Sequence, residues 1–437
     1  MKVKTTFAVL ALAGMLLVLP SSSAAESSHV IKVGPGDSIQ AAIDAADPGT
    51  TIKIAAGTYK ESLQISKDGI RLVGEGADET HLVPPDPLVP GVGCVFEDTS
   101  TTPPQVFAFG ICVNDPEVQP PVTLKDVKIS NLSVNGFSGM GIFLFNVDNG
   151  AVTHVEASDD GGYGIFANNS SGTRIYGNVT NNNEEAGVYV GDSPNADATV
   201  KRNSASGNMF GIFIRDAAHG VVLKNKAYDN CLGILFLNTE EAPPSEPTDV
   251  ADWVAFRNTV VANNRPCPPG DEGPPISGVG IGVAGGVDIS LIANNVFGNK
   301  TPAGTPSAFG GGIVVVTSPD FSTPQPSTGT RVAFNTALDN QPDLFWDGAG
   351  DGNVFVDNEC RTSDPAGLCD EEQGGDNGDD DGGGDGGKDD DADHGKPKGE
   401  RDHSKGHDDD DRGDDNAGNG KHKSSKEHSR SKDRDDD

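Results

Sequence analysis

Between residues 140 and 240 the apolar positions come in pairs two apart, each pair just after a glycine: Ile142 and Leu144, Ile165 and Ala167, Val188 and Val190, Ile212 and Ile214, Ile234 and Phe236. Period two over four or five residues is the mark of a short strand with one buried face. The glycines are Gly141, Gly164, Gly187, Gly211 and Gly233, at steps of 23, 23, 24 and 22 residues, and Gly280-Ile281 and Gly312-Ile313 continue the series after insertions. Between them recurs Asn-x4-Asn, at Asn178/Asn183, Asn203/Asn208, Asn225/Asn230, Asn258/Asn263, Asn294/Asn299, Asn335/Asn340 and Asn353/Asn358. Ile175, Val200, Val222 and Val332 stand three places before such an Asn and mark a second strand. Short strands at a fixed interval, punctuated by Gly and Asn, predict the rungs of a parallel solenoid. Asn suits the corners because it tolerates left-handed backbone angles, and stacked at ~4.8 Å its amides can bond from rung to rung. The density of Gly, Asn and β-branched residues disfavours a helical repeat, and a propeller blade needs ~40 or more residues. The expected fold is all-β, a single-stranded right-handed parallel β-helix.

Upstream, residues 37–49 read as a short amphipathic helix with Asp37 or Ser38 as N-cap, apolar positions 39, 42, 43 and 46, and a Pro48-Gly49 stop. Such a helix suits the capping of a first open rung. Short strand segments follow at Thr51–Ile54, 57–61 and 70–76. The run from Val33 to Gly76, with the Gly-Ile and Asn repeats, resembles the pectin-lyase-like superfamily of right-handed β-helices, and within it the NosD-type and carbohydrate-binding β-helix repeat proteins. The resemblance spans about residues 30 to 360. It implies the fold but not one activity, since the superfamily holds lyases, hydrolases, esterases, epimerases and plain binders. Gly57-x-Tyr59-x-Glu61 also occurs near the start of pectin esterases, but their later Gln-Asp, Asp and Arg motifs are absent here, as are the Asp-Pro-His-Asp of alginate epimerases and the Gly-Gly-x-Gly-x-Asp calcium repeat. No catalytic residue is carried over.

Composition divides the chain. It has 437 residues, a net charge of −34 and 35% hydrophobic residues. Residues 370–437 hold Asp runs with Gly, Lys and His and only Ala392 and Ala417 as apolar side chains, the composition of a disordered solvated tail. Residues 1–25 read as a signal peptide: Lys2 and Lys4, an apolar run from Phe7 to Leu19, and Ser23-Ala24-Ala25 before the cut. The expected domain is therefore 30–369, secreted or periplasmic, with no membrane span and no affinity for nucleic acid phosphates. Export permits disulfides. Neighbour pairing joins Cys94 with Cys112, Cys231 with Cys267 and Cys360 with Cys369, one of fifteen connectivities.

Stacking suggests three columns of candidate site residues. Two places after each repeat Gly, Phe143, Phe166, Tyr189, Phe213 and Leu235 point outward, and aromatic rows can hold the apolar C–H faces of sugars; alternatively an inserted segment, such as the Pro-rich stretch 238–252, covers them as a second core. Five places after the Gly stand Asn146, Asn169, Asp192, Asp216 and Asn238. Asp192 and Asp216, beside Arg215, are the candidates for a calcium site or an acid/base pair, against a plain corner role. Just before the repeated Asn come Arg202, Lys224 and Arg257, a basic row suited to uronate carboxylates or simply a solvated face. The reading is an exported binder of a polysaccharide or cell-surface glycan along the solenoid axis. A lyase or glycosidase of the pectin-lyase-like type and a NosD-like accessory protein are its alternatives.

Overall fold

The computed structural model describes residues 29–114, 122–239, 249–269, 274–318 and 324–369. The expected signal peptide, the acidic tail and residues 240–248 of the Pro-rich stretch lie outside the described residues. Within them the chain winds as a coil, each turn adding one short strand to each of three parallel sheets. Sheet A runs from Val30–Val33 to Val354–Val356, sheet B from Gly57–Lys60 to Thr336–Leu338, and sheet C from Leu63–Ile65 to Ser363–Asp364. One long strand, Phe210–Leu223, rounds the corner from sheet C into sheet A without a break.

The expected register is met residue for residue. Ile142, Ile165, Val188, Ile212, Ile234, Ile281 and Ile313 pair in sequence up sheet C. Ile52, Leu72, Ile129, Val152, Ile175, Val200 and Val222 do the same in sheet A. All are fully buried in one aliphatic core. Burial of each such side chain stabilises by about 1.5–3 kcal/mol relative to leaving it exposed.

Asparagine closes the corners on either side of sheet B. One ladder climbs Asn178, Asn203, Asn225, Asn258, Asn294, Asn335 and Asn358; a second climbs Asn183, Asn208, Asn230, Asn263, Asn299 and Asn340. At each link the backbone N–H and the side-chain Nδ2 of one Asn both donate to Oδ1 of the next, as in Asn203 to Asn225 at 2.9 and 3.0 Å. The same Nδ2 donates to a carbonyl of the turn before, Ile175 for Asn203 at 2.9 Å. Buried amides are thus satisfied with no water. Asp160 begins the second ladder and Asp343 ends it. Asn358 belongs to the first ladder rather than the second, so the pair Asn353/Asn358 is offset by one corner from the other six.

These ladders also explain the repeat glycine. A Cβ on Gly164, Gly187 or Gly211 would stand 2.7, 2.9 and 2.9 Å from Nδ2 of Asn183, Asn208 and Asn230. Only glycine lets the sheet C strand pass so close to the stacked amides. Gly and Asn of the repeat are two halves of one contact.

At the first turn the helix Ile39–Ala45 lies over the coil, N-capped by Ser38, whose hydroxyl accepts from Ala41 N at 3.1 Å. The turn beneath caps it at both ends: Glu61 accepts from Ile39 N, Gln40 N and Ser38 Oγ at 2.8 to 3.0 Å, and Lys67 Nζ donates to the carbonyls of Ile43, Asp44 and Ala46. Negative charge at the amino end and positive at the carboxyl end complement the helix dipole. The disulfides join Cys94 to Cys112, Cys231 to Cys267 and Cys360 to Cys369.

Candidate functional site

The aromatic column stacks on the outside of sheet C in the expected register, Phe143, Phe166, Tyr189, Phe213 and Leu235 on successive turns. Phe166 and Tyr189 lie parallel with centroids 4.2 Å apart, and Tyr189 meets Phe213 edge-on at 5.3 Å. It is not an open platform. Phe143 is 7% exposed, Tyr189 1% and Phe213 0%. The hairpin of Val95–Asp98 and Gln105–Ala108 lays Phe96 and Phe109 over the lower end, and Ile276, Cys267 and Phe309 pack over the upper end. These rings form a second core. Phe166 keeps partial exposure. Among the described residues the cover comes from Phe96, Phe109, Cys267, Ile276 and Phe309, while most of the Pro-rich stretch expected to cover the column lies outside the described residues.

Asp192 and Asp216 do stand on adjacent turns at left-handed corners, with φ of 47° and 46°. Both oxygens of Asp216 and Oδ2 of Asp192 are already engaged. Asp216 is buried and accepts from both N–H and O–H of Thr239, with Arg215 Nε 3.4 Å from its Oδ2. Desolvation raises its pKa, against those hydrogen bonds and the Arg215 charge. Asp192 accepts from Asn168 Nδ2 at 2.5 Å. Calcium takes six to eight oxygen ligands, and a guanidinium beside the candidate oxygens opposes a cation. This pair does not fit that ion; it is a corner pair. Among the described residues no group of three His, Cys, Asp or Glu converges as a metal site. Glu61 is likewise committed, to the helix cap.

The open ground is the outer face of sheet A. Its outward positions form two columns in strict register. One reads Val30, Thr51, Arg71, Lys128, Ala151, Arg174, Thr199, Val221, Val254, Ser290, Arg331, Val354. The other reads Lys32, Lys53, Val73, Ser130, Thr153, Tyr176, Lys201, Leu223, Phe256, Ile292, Ala333, Val356. Neither column contains an acidic residue, on a chain of net charge −34. A cleft of about 530 Å³ lies between Arg71, Lys128, Arg174, Ser130 and Thr153, with the corner residues Asp126 and Asn149 at its rim, so three basic side chains face one acidic one there.

Arg202, Lys224 and Arg257 line the adjoining A–B corner on consecutive turns, exposed and with φ of 54 to 56°. A left-handed corner costs a non-glycine residue about 1–2 kcal/mol, which the Asn ladder next to it offsets. The corner position serves the fold, while its side chain is free to vary. The row shares sheet A's face rather than that of the aromatic column. Arg202 Nη1 donates to Tyr176 Oη at 2.9 Å, His154 meets the same ring edge-on at 5.3 Å, and the Arg257 guanidinium rests 4.8 Å from the Phe256 centroid. Tyr176, Phe256 and the strand lysines and arginines were missed from sequence because their type does not recur at the repeat interval.

Among the described residues no helix is long and apolar enough to cross a membrane. The model of a family described as right handed beta helix region matches residues 94–242 and 140–336. Two solved structures from Azotobacter vinelandii are similar in fold. The A-module of mannuronan C-5 epimerase AlgE4 shares 19% identity over 74% of this chain and 90% of its own, with a TM-score of 0.52. The AlgE6 A-module shares 18% over 73% and 88%, also at 0.52. No curated protein matches the sequence.

Proposed function

The chain belongs to the right-handed β-helix family, and on that premise we propose that it is an exported binder of an extended acidic polysaccharide, held along the basic turns of sheet A. The observation that carries this reading is the pair of outward columns with Lys32, Lys53, Arg71, Lys128, Arg174 and Lys201 and no acidic side chain. Outward positions repeat every ~4.8 Å up the face and several of them are basic, so an extended ligand gains avidity without any one strong contact. Three disulfides agree with an oxidising compartment, and the two epimerase modules of like fold are named for action on a polysaccharide, mannuronan.

Replacing Lys128, Arg174 and Arg202 together by Ala tests this. Each exposed charge contact contributes about 0.5–1 kcal/mol, so affinity for a polyuronate should fall roughly 10- to 100-fold, with a weaker dependence on salt. Unchanged affinity would defeat the reading.

A second reading, a lyase, is favoured by one observation: Tyr176 Oη, held by Arg202 and flanked by His154, sets a phenol, an imidazole and a guanidinium together on the exposed face. A phenol or imidazole can move a proton while a guanidinium neutralises a carboxylate. It predicts unsaturated ends, seen as rising ultraviolet absorbance, that disappear in Tyr176→Phe while binding persists.

A further inference from the structure

The two columns of sheet A change character along the axis. In the earlier turns they carry the basic side chains; from Val221 onward they read Val221, Val254, Ser290, Arg331, Val354 and Leu223, Phe256, Ile292, Ala333, Val356, of which Ala333 is covered. Of the eight large apolar side chains most exposed among the described residues, Val254, Phe334 and Val354 lie at this end of this one face or on its edge. Phe334 continues the corner column of Arg202, Lys224 and Arg257 two turns on, 55% exposed with φ 58°. Its backbone is the ordinary one of this corner column, but an exposed ring of that size gains nothing from the core.

We infer that these later turns are a second, mainly apolar subsite, and that the ligand is an acidic glycan in which a charged stretch adjoins an esterified one. This rests on the polysaccharide reading. The occupant follows from continuity: the apolar positions extend the basic columns in unbroken register, so a chain lying on Arg71, Lys128 and Arg174 runs directly onto Val254 and Phe256. Charge then selects what lies there. A carboxylate above Val254 and Ile292, beyond the Arg257 guanidinium that rests on the Phe256 ring, would shed water against apolar groups with Arg331 as its strand-borne counter-charge, an unfavourable exchange. An uncharged sugar buries its C–H face on the same groups and on the exposed Phe334 ring, a favourable one.

Unesterified polygalacturonate and a block-methyl-esterified sample of equal length are the probes, measured by titration calorimetry at fixed salt. Wild type should bind the esterified blocks roughly ten-fold tighter, equivalent to ~1.4 kcal/mol. Phe256→Ala with Phe334→Ala should erase that preference and leave the unesterified affinity within about two-fold. Phe334→Ala alone, an exposed change that leaves the core intact, should erase part of it. Lys128→Ala with Arg174→Ala should weaken both probes. Equal binding of the two probes by wild type, or equal loss of both in the Phe variants, overturns the second subsite and leaves the polysaccharide reading standing. Failure of wild type to bind either probe overturns both.

Discussion

Asp160 shows how a single atom decides the chemistry of a repeat position. It occupies the first place of the second Asn ladder: Phe137 N donates to its Oδ1 at 2.9 Å, and its own N–H donates to Asn183 Oδ1 at 3.2 Å. Its Oδ2 faces Gly141 as each ladder Nδ2 faces the glycine of its turn. Burial pushes its pKa from 3.8 up to about 8, so at neutral pH the protonated acid stands in for the amide. The folded state holds a proton that the unfolded chain has lost above pH ~4, so this group's stabilisation is full below that value and is lost as pH rises towards about 8. Asp160→Asn should remove that slope and raise stability at pH 7 by about 1–3 kcal/mol. Urea unfolding of both proteins at pH 5 and pH 8 reads it, and parallel pH profiles would refute the assignment. The position is legible in the sequence because Asp160 stands 23 residues before Asn183, one repeat earlier in the same Asn slot. Its protonation is not, since that depends on the carbonyls and side chains of turns above and below.

At the scale of the element, the Gly–Asn contact and the covered column make opposite demands on sheet C. Gly211→Ala would drive a Cβ to 2.5 Å from Gly233 O and 2.9 Å from Asn230 Nδ2, an overpacking cost of about 1–3 kcal/mol measurable in the unfolding midpoint. Phe213→Ala on the outer side should cost about 3–5 kcal/mol, because the ring is fully buried. Its polyuronate affinity, measured on folded protein, should match wild type; a selective loss of binding would restore the column as a ligand platform. The strands and the column itself could be read from spacing because Ile165, Val188 and Ile212 recur with their glycines. What covers the column could not. The hairpin near Phe96 and the segment bearing Ile276 and Phe309 carry no repeat, and only their folding back shows what they touch. The basic face was hidden for the same reason: Arg71 and Lys128 are neighbours in register although 57 residues separate them in the chain.

For the molecule as a whole, the Asn ladders act as a ruler indifferent to the length of chain between its marks. The same amide-to-amide bond links residues 22 apart at Asn203 and Asn225, 33 apart at Asn225 and Asn258, and 41 apart at Asn294 and Asn335. Extra residues therefore leave the coil as excursions without altering the rise from one turn to the next. A foreign peptide spliced between Pro302 and Thr305, in an exposed loop between turns, should leave thermal stability and glycan affinity close to those of the parent. Such a body can vary its outgrowths freely while one flank keeps a constant pitch for whatever long molecule is laid against it.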